Sequence, residues 1–141
     1  MKIMIINGPN LNFLGIREKD IYGKNSYADL EKLIKDYTKD IICDMYQTNC
    51  EGKFIDYLQK AYNDNYDGIV INPGAYSHYS YAIYDAIKSI NKRVVEVHIS
   101  DVNSRDEFRH NLITGKACEK VIMGKGLNGY LEAIDYLKVK A

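Results

Sequence analysis

Lys2-Ile3-Met4-Ile5-Ile6-Asn7 runs directly into Gly8-Pro9-Asn10-Leu11-Asn12-Phe13-Leu14-Gly15-Ile16-Arg17-Glu18-Lys19-Asp20-Ile21-Tyr22-Gly23. The first part is short, apolar without alternation and closed by Asn-Gly, the pattern of a strand buried on both faces in a parallel sheet. Ile41 to Gln47, Gly68 to Asn72, Val94 to Ile99 and Lys120 to Met123 read the same way. Between these runs apolar residues recur three and four apart, the spacing of a helix face. They are Ala28, Leu30, Leu33, Ile34 and Tyr37, then Phe54, Leu58, Ala61 and Tyr62, then Ala82, Ile83, Ala86, Ile87 and Ile90, with Leu127 to Leu137 closing the chain.

Alternating strands and helices joined by right-handed crossovers predict an α/β fold. The expected form is a flavodoxin-like three-layer sandwich with a five-stranded parallel sheet in the order 2-1-3-4-5, one domain over residues 1–141. No repeat, low-complexity tract or linker divides it. Lys and Arg number 19 and Asp and Glu 19, for a net charge of zero, so neither nucleic acid nor an anionic membrane surface is an expected partner. The opening apolar run is too short for a signal peptide, and no segment approaches membrane-spanning length, so a cytoplasmic location is expected. Cys43, Cys50 and Cys118 are odd in number and lack CxxC or zinc-finger spacing. Reduced thiols are expected, with neither a disulfide framework nor a structural metal.

Ligands of such sheets bind outside the carboxyl ends of the strands, near the point where strand order reverses. The sequence places there the long polar loop Gly8 to Gly23, which has the character of a lid or binding loop. It also places there Gln47-Thr48-Asn49-Cys50-Glu51-Gly52 and Asn72-Pro73-Gly74-Ala75-Tyr76-Ser77-His78-Tyr79-Ser80. Glu96-Val97-His98-Ile99-Ser100-Asp101 and Ser104-Arg105-Asp106-Glu107-Phe108-Arg109-His110 complete the rim. Asn, Gln, His, Ser, Tyr and Arg converging on one rim exceed what connecting loops need.

Together these segments resemble the type II 3-dehydroquinate dehydratases. The resemblance runs from Gly8-Pro9-Asn10-Leu11-Asn12 through Asn72-Pro73-Gly74-Ala75 and Glu96-Val97-His98-Ile99-Ser100 to Gly124-Lys125-Gly126-Leu127-Asn128-Gly129-Tyr130, essentially the whole chain. It implies elimination of water from 3-dehydroquinate to 3-dehydroshikimate through an enolate, without metal or cofactor, in the shikimate pathway or quinate breakdown. By this resemblance Tyr22 is the general base at C2, Arg17 the lid arginine that promotes its ionised form, and His98 the general acid at the C1 hydroxyl. Asn10 stabilises the enolate. Asn72, Gly74, Ala75, Ile99 and Ser100 bind the substrate, Ile99 and Ser100 chiefly at its carboxylate, and His78, Asp85 and Arg109 hold the ring hydroxyls. The resemblance also implies a homo-oligomer, a dodecamer built from trimers, in which Asp85 reaches a neighbouring subunit's site. Lys19, Cys50, Tyr79 and Asp101 depart from the residues usual in the family, which have proline, histidine, threonine and asparagine there.

The chemistry needs these residue types. Removing a proton alpha to a ketone and expelling a beta hydroxyl requires a base, an acid and donors where enolate charge develops. Two other motifs lack the context their chemistry needs. Gly124, Gly126 and Gly129 spell GxGxxG, but only one helix follows, with no further strand and no acidic residue about twenty positions on; close helix packing explains the glycines better. A hydrolase triad from Ser77 or Ser100 with Asp85 lacks the GxSxG elbow. The alternative function is a flavodoxin-like protein binding FMN or another phosphate ligand. That reading requires a Ser/Thr/Gly loop leading straight into a helix, where this chain carries Pro9, Arg17 and Tyr22.

Overall fold

Along β1 (Lys2–Asn7) the side chains alternate between two cores: Ile3 and Ile5 face one, Met4 and Ile6 the other, all fully buried. A strand can satisfy that pattern only with a helical layer on each face. The computed structural model describes residues 1–16 and 18–140, and in it β1, β2 (Ile42–Gln47), β3 (Gly68–Asn72), β4 (Arg93–His98) and β5 (Lys120–Met123) form one parallel sheet ordered β2-β1-β3-β4-β5. Fold class and strand order are those read from the sequence.

Helices α2 (Tyr27–Tyr37) and α5 (Asn128–Lys140) cover one face. Leu30 and Ile34 of α2, and Tyr130, Ala133, Ile134 and Leu137 of α5, pack there against Val70, Val95 and Val97. On the other face lie α3 (Glu51–Asn63), through Phe54, Leu58 and Ala61, and α4 (Tyr81–Ile90), through Ile83, Ile87 and Ile90. The helix starts are written in the sequence. Ser26 and Asp29 form a reciprocal capping box at α2, and Ser80 Oγ accepts from the Ile83 amide at 3.0 Å at α4. Among the described residues no helix is long and apolar enough to cross a membrane.

The structure differs from the sequence reading in details that matter for the site. β4 begins and ends one residue earlier than expected, so Ile99 lies just beyond the strand. The expected polar loop after β1 contains a 3-10 turn at Leu11–Phe13 and one turn of helix, α1 (Lys19–Tyr22). Lys19 occupies the first helical position, which suits proline as well because its N–H has no partner within the helix; the lid therefore keeps its helical turn despite that departure. The β4 to β5 crossover has no α-helix and is built from 3-10 turns at Val102–Ser104, Glu107–Arg109 and Thr114–Ala117.

Candidate active site

Two glycines let the strand-end loops touch. A Cβ at Gly8 would meet the Pro73 carbonyl oxygen at 2.6 Å, and Gly74, with φ of 60°, faces the Pro9 carbonyl. This contact, with the Gly8 amide donating to Asn72 O at 2.7 Å, locks the loops after β1 and β3 together. Asn10 follows with φ of 70°, its amide donating to Asn49 Oδ1 at 3.1 Å. Gln47 Nε2 donates to Gly8 O, Asn12 Oδ1 and Asn49 Oδ1. Asn7, Gln47 and Asn72 are level in the sheet register, so the strand ends form a floor of amides.

Over that floor lies a cavity of about 100 Å³ that adjoins a wider recess of about 720 Å³ under α1. Asn10, Tyr22, Asn72, Gly74, Ala75, His78, His98, Ile99, Ser100 and Arg109, all expected from the sequence, line the smaller cavity. Arg17 lies outside the described residues. Asp85 sits on the exposed face of α4 and is not brought to the cavity of its own chain.

His98 is held from behind. Its Nε2 donates to Glu96 Oε2 at 2.7 Å. A carboxylate only accepts, so Nε2 keeps its proton and Nδ1 is the nitrogen left for the cavity. Glu96 is fully buried in β4, and its oxygens also accept from Ser77 Oγ at 2.7 Å and Thr114 Oγ1 at 2.5 Å. Those donors replace the water a buried carboxylate loses. His78 stacks beside His98 at 6.4 Å and donates from Nδ1 to Asn111 O at 3.1 Å. Burial holds its pKa below the ordinary histidine value, leaving a neutral ring whose Nε2 is an acceptor.

Tyr22 ends α1, and its hydroxyl oxygen accepts from Arg105 Nη1 at 2.6 Å, with the guanidinium 5.1 Å from the ring centre. Arg105 also lies 4.0 Å from Glu18 Oε2. Arg109 Nε is buried with no hydrogen-bond partner among the described residues and lies 3.9 Å from Asp106. Sequence reasoning assigned no role to Arg105 or Glu96. Arg105 lies in the segment that the sequence places on the rim, but nothing in its spacing marks it as the partner of Tyr22. Glu96 carried a signal: a charged residue inside the apolar run Val94-Val95-Glu96-Val97, two positions before His98 and so on the same face of the strand.

Of the remaining departures, Asp101 lines the wider recess, while Cys50 and Tyr79 line neither cavity. Cys50 precedes α3 without a side-chain cap, and its own amide donates to Thr48 Oγ1 at 3.1 Å instead. Tyr79 is exposed, and the Asp101 side chain caps the Asn103 amide at 3.0 Å. Ser77, considered for a triad, spends its proton on Glu96. Among the described residues no group of three or more His, Cys, Asp or Glu could hold a metal ion.

The family profile described as Dehydroquinase class II matches residues 1–138. The chain belongs to the class II dehydroquinases. A class II dehydroquinase is a hydro-lyase, and relatives named 3-dehydroquinate dehydratase match this chain across nearly their full length. The 3-dehydroquinate dehydratase of Clostridium beijerinckii is 55% identical over 144 residues, covering 99% of this chain and 97% of its own. That of Clostridium acetobutylicum is 57% identical over 140 residues, covering 98% and 96%. The crystal structure of the type II dehydroquinase from Butyrivibrio crossotus superposes with a TM-score of 0.96 at 56% identity, covering 98% of this chain and 97% of that one.

Proposed function

We propose that this class II dehydroquinase converts 3-dehydroquinate to 3-dehydroshikimate through an enolate, with Tyr22 as base and His98 as acid. The observation that carries the reading is that both residues line one cavity of about 100 Å³, each backed by the opposite charge to the one it bears while working. Arg105 donates to the Tyr22 oxygen and Glu96 accepts from His98. The proton leaves C2 for the Tyr22 phenolate as the C3 carbonyl becomes an enolate. Collapse of the enolate restores the ketone, forms the C1–C2 double bond and expels the C1 hydroxyl. That hydroxyl takes the proton from His98 Nδ1 and departs as water.

The remaining roles follow from donor and acceptor character. Arg105 stabilises negative charge on the Tyr22 oxygen, and Arg17 is the second cation in the reading. Asn10 supplies a donor for the enolate. Asn72, Gly74, Ala75, Ile99 and Ser100 hold the substrate, with Ile99 and Ser100 at its carboxylate. Neutral His78 accepts from a ring hydroxyl, and Arg109 Nε, which has no hydrogen-bond partner among the described residues, donates to another. The exposed position of Asp85 on α4 suits a residue that serves a neighbouring subunit, in a dodecamer built from trimers and working in the cytoplasm. The test is incubation with 3-dehydroquinate, following the ultraviolet absorbance of the conjugated product. Tyr22→Phe should lower turnover at least about a hundredfold; a Tyr22→Phe enzyme turning over at the parental rate would refute the reading.

A further inference from the structure

Gly129 of α5 lies so close to β4 that a Cβ there would meet Val97 Cγ1 at 3.1 Å. The close approach carries Tyr130, fully buried, beneath the ends of β1 and β3. Its hydroxyl sits between Asn7 and Asn72, which are register partners on those strands. Tyr130 Oη donates to Asn7 Oδ1 at 2.6 Å and accepts from Asn72 Nδ2 at 2.9 Å. Asn7 Nδ2 donates onward to Tyr27 Oη at 3.3 Å, and Asn72 Oδ1 accepts from the Gly74 amide at 3.2 Å.

Each link dictates the next. With its amide nitrogen given to Tyr27, Asn7 turns its oxygen toward Tyr130, and the single Tyr130 proton goes there. The Tyr130 oxygen can then only accept, so Asn72 must face it with nitrogen and face Gly74 with oxygen. A flipped Asn72 would set its NH2 against the Gly74 N–H and its oxygen against a hydroxyl with no proton to give. Burial pushes the Tyr27 phenol up to about 12 and the Tyr130 phenol higher still, so the direction of the chain is constant through neutral pH.

We propose that Tyr130 is a positioning residue of this enzyme: through Asn72 it fixes which amide atoms the floor of the site presents to substrate. The proposal rests on the reading of Asn72 as a substrate-binding residue. Asn72 keeps one N–H and one oxygen lone pair beyond the chain, and a fixed orientation offers them to the same substrate atoms at every encounter. Tyr130 touches no substrate itself, since Asn72 lines the cavity and Tyr130 does not.

Steady-state kinetics on the whole enzyme, with a thermal melt of each variant, test the proposal. Tyr130→Phe keeps the buried ring and removes one of the two contacts that orient the Asn72 amide, leaving the Gly74 N–H as the other. KM should rise roughly tenfold, the factor carried by one net hydrogen bond, while kcat stays within about twofold. Asn7→Leu is the second variant and stands in if Tyr130→Phe does not fold. It keeps the Tyr130 hydroxyl but releases its proton toward Asn72, so the same rise in KM is expected. Tyr130→Phe combined with Asn72→Ala should have the KM of Asn72→Ala alone. A parental KM in Tyr130→Phe and Asn7→Leu beside a raised KM in Asn72→Ala would overturn the proposal. Multiplying effects in the double variant would overturn it too, because Tyr130 would then act elsewhere. A parental KM in Asn72→Ala would sink the reading of Asn72 and the proposal with it.

Discussion

Glu96→Gln separates the charge behind His98 from the geometry that holds it. In the parent the carboxylate accepts from Ser77 and His98 on Oε2 and from Thr114 on Oε1. A glutamine can keep its oxygen toward Ser77 and His98 and turn its NH2 toward Thr114. The Thr114 hydroxyl then accepts from it and donates to Ser77 Oγ, 3.1 Å away. The network survives, and only the negative charge is lost. A hydrogen bond to a charged group contributes about 1.5–3 kcal/mol and a neutral one about 1 kcal/mol. The His98 imidazolium therefore loses about 0.5–2 kcal/mol of stabilisation, so fewer His98 rings hold the proton they must deliver and turnover slows roughly two- to thirtyfold. Folding stability should change little, because the desolvation cost of a buried charge disappears along with its hydrogen-bond strength. The assay is kcat from product absorbance beside a thermal melt. Glu96→Ala is the contrast, stranding His98, Ser77 and Thr114 without an acceptor and costing about 3–5 kcal/mol of stability. A folded Glu96→Gln enzyme with parental kcat would refute the reasoning, because His98 would then work without a counter-charge.

Arg105→Ala removes a charge-assisted contact of 2.6 Å to the base and should lower kcat roughly ten- to a hundredfold. Arg105→Lys should recover part of that loss, since it restores the charge without the planar fork; equal kcat in parent and Arg105→Ala would remove Arg105 from the mechanism. His78 is held below the ordinary histidine value of 6.5 by burial, so on acidification the unfolded chain takes up its proton first. Its contribution to stability is therefore intact above that value and lost as pH falls through the lower folded one. Denaturant titrations between pH 7 and 5 should show a shallower loss of stability in His78→Asn than in the parent, and identical slopes would count against the burial argument. Sedimentation should give a particle far heavier than the 16.2 kDa chain, and Asp85→Ala should raise KM; a fully active monomer would show that no neighbour completes the site.

Periodicity in this chain determines the strands, the helices and the layers, and the strand order then follows from the fold expected of right-handed crossovers. Lys2–Asn7 and Gly68–Asn72 are apolar on both faces, and the helical faces between them are punctuated by Ser26 and Ser80. Buried strands and capped helices are local consequences of side-chain pattern, which is why they are legible. The motifs at the strand ends were legible for a related reason, since topology alone puts Asn10, Asn72, His98 and Ser100 on one rim. What only the tertiary structure decided is who stands behind them. Arg105 meets Tyr22 across 83 positions of sequence and Tyr130 meets Asn7 across 123, separations at which no spacing rule operates. Those contacts depend on how a crossover without a helix folds back under the lid, and on how closely Gly129 lets α5 approach the sheet. Both are outcomes of packing summed over the whole core, and a one-dimensional pattern does not encode the resulting distances.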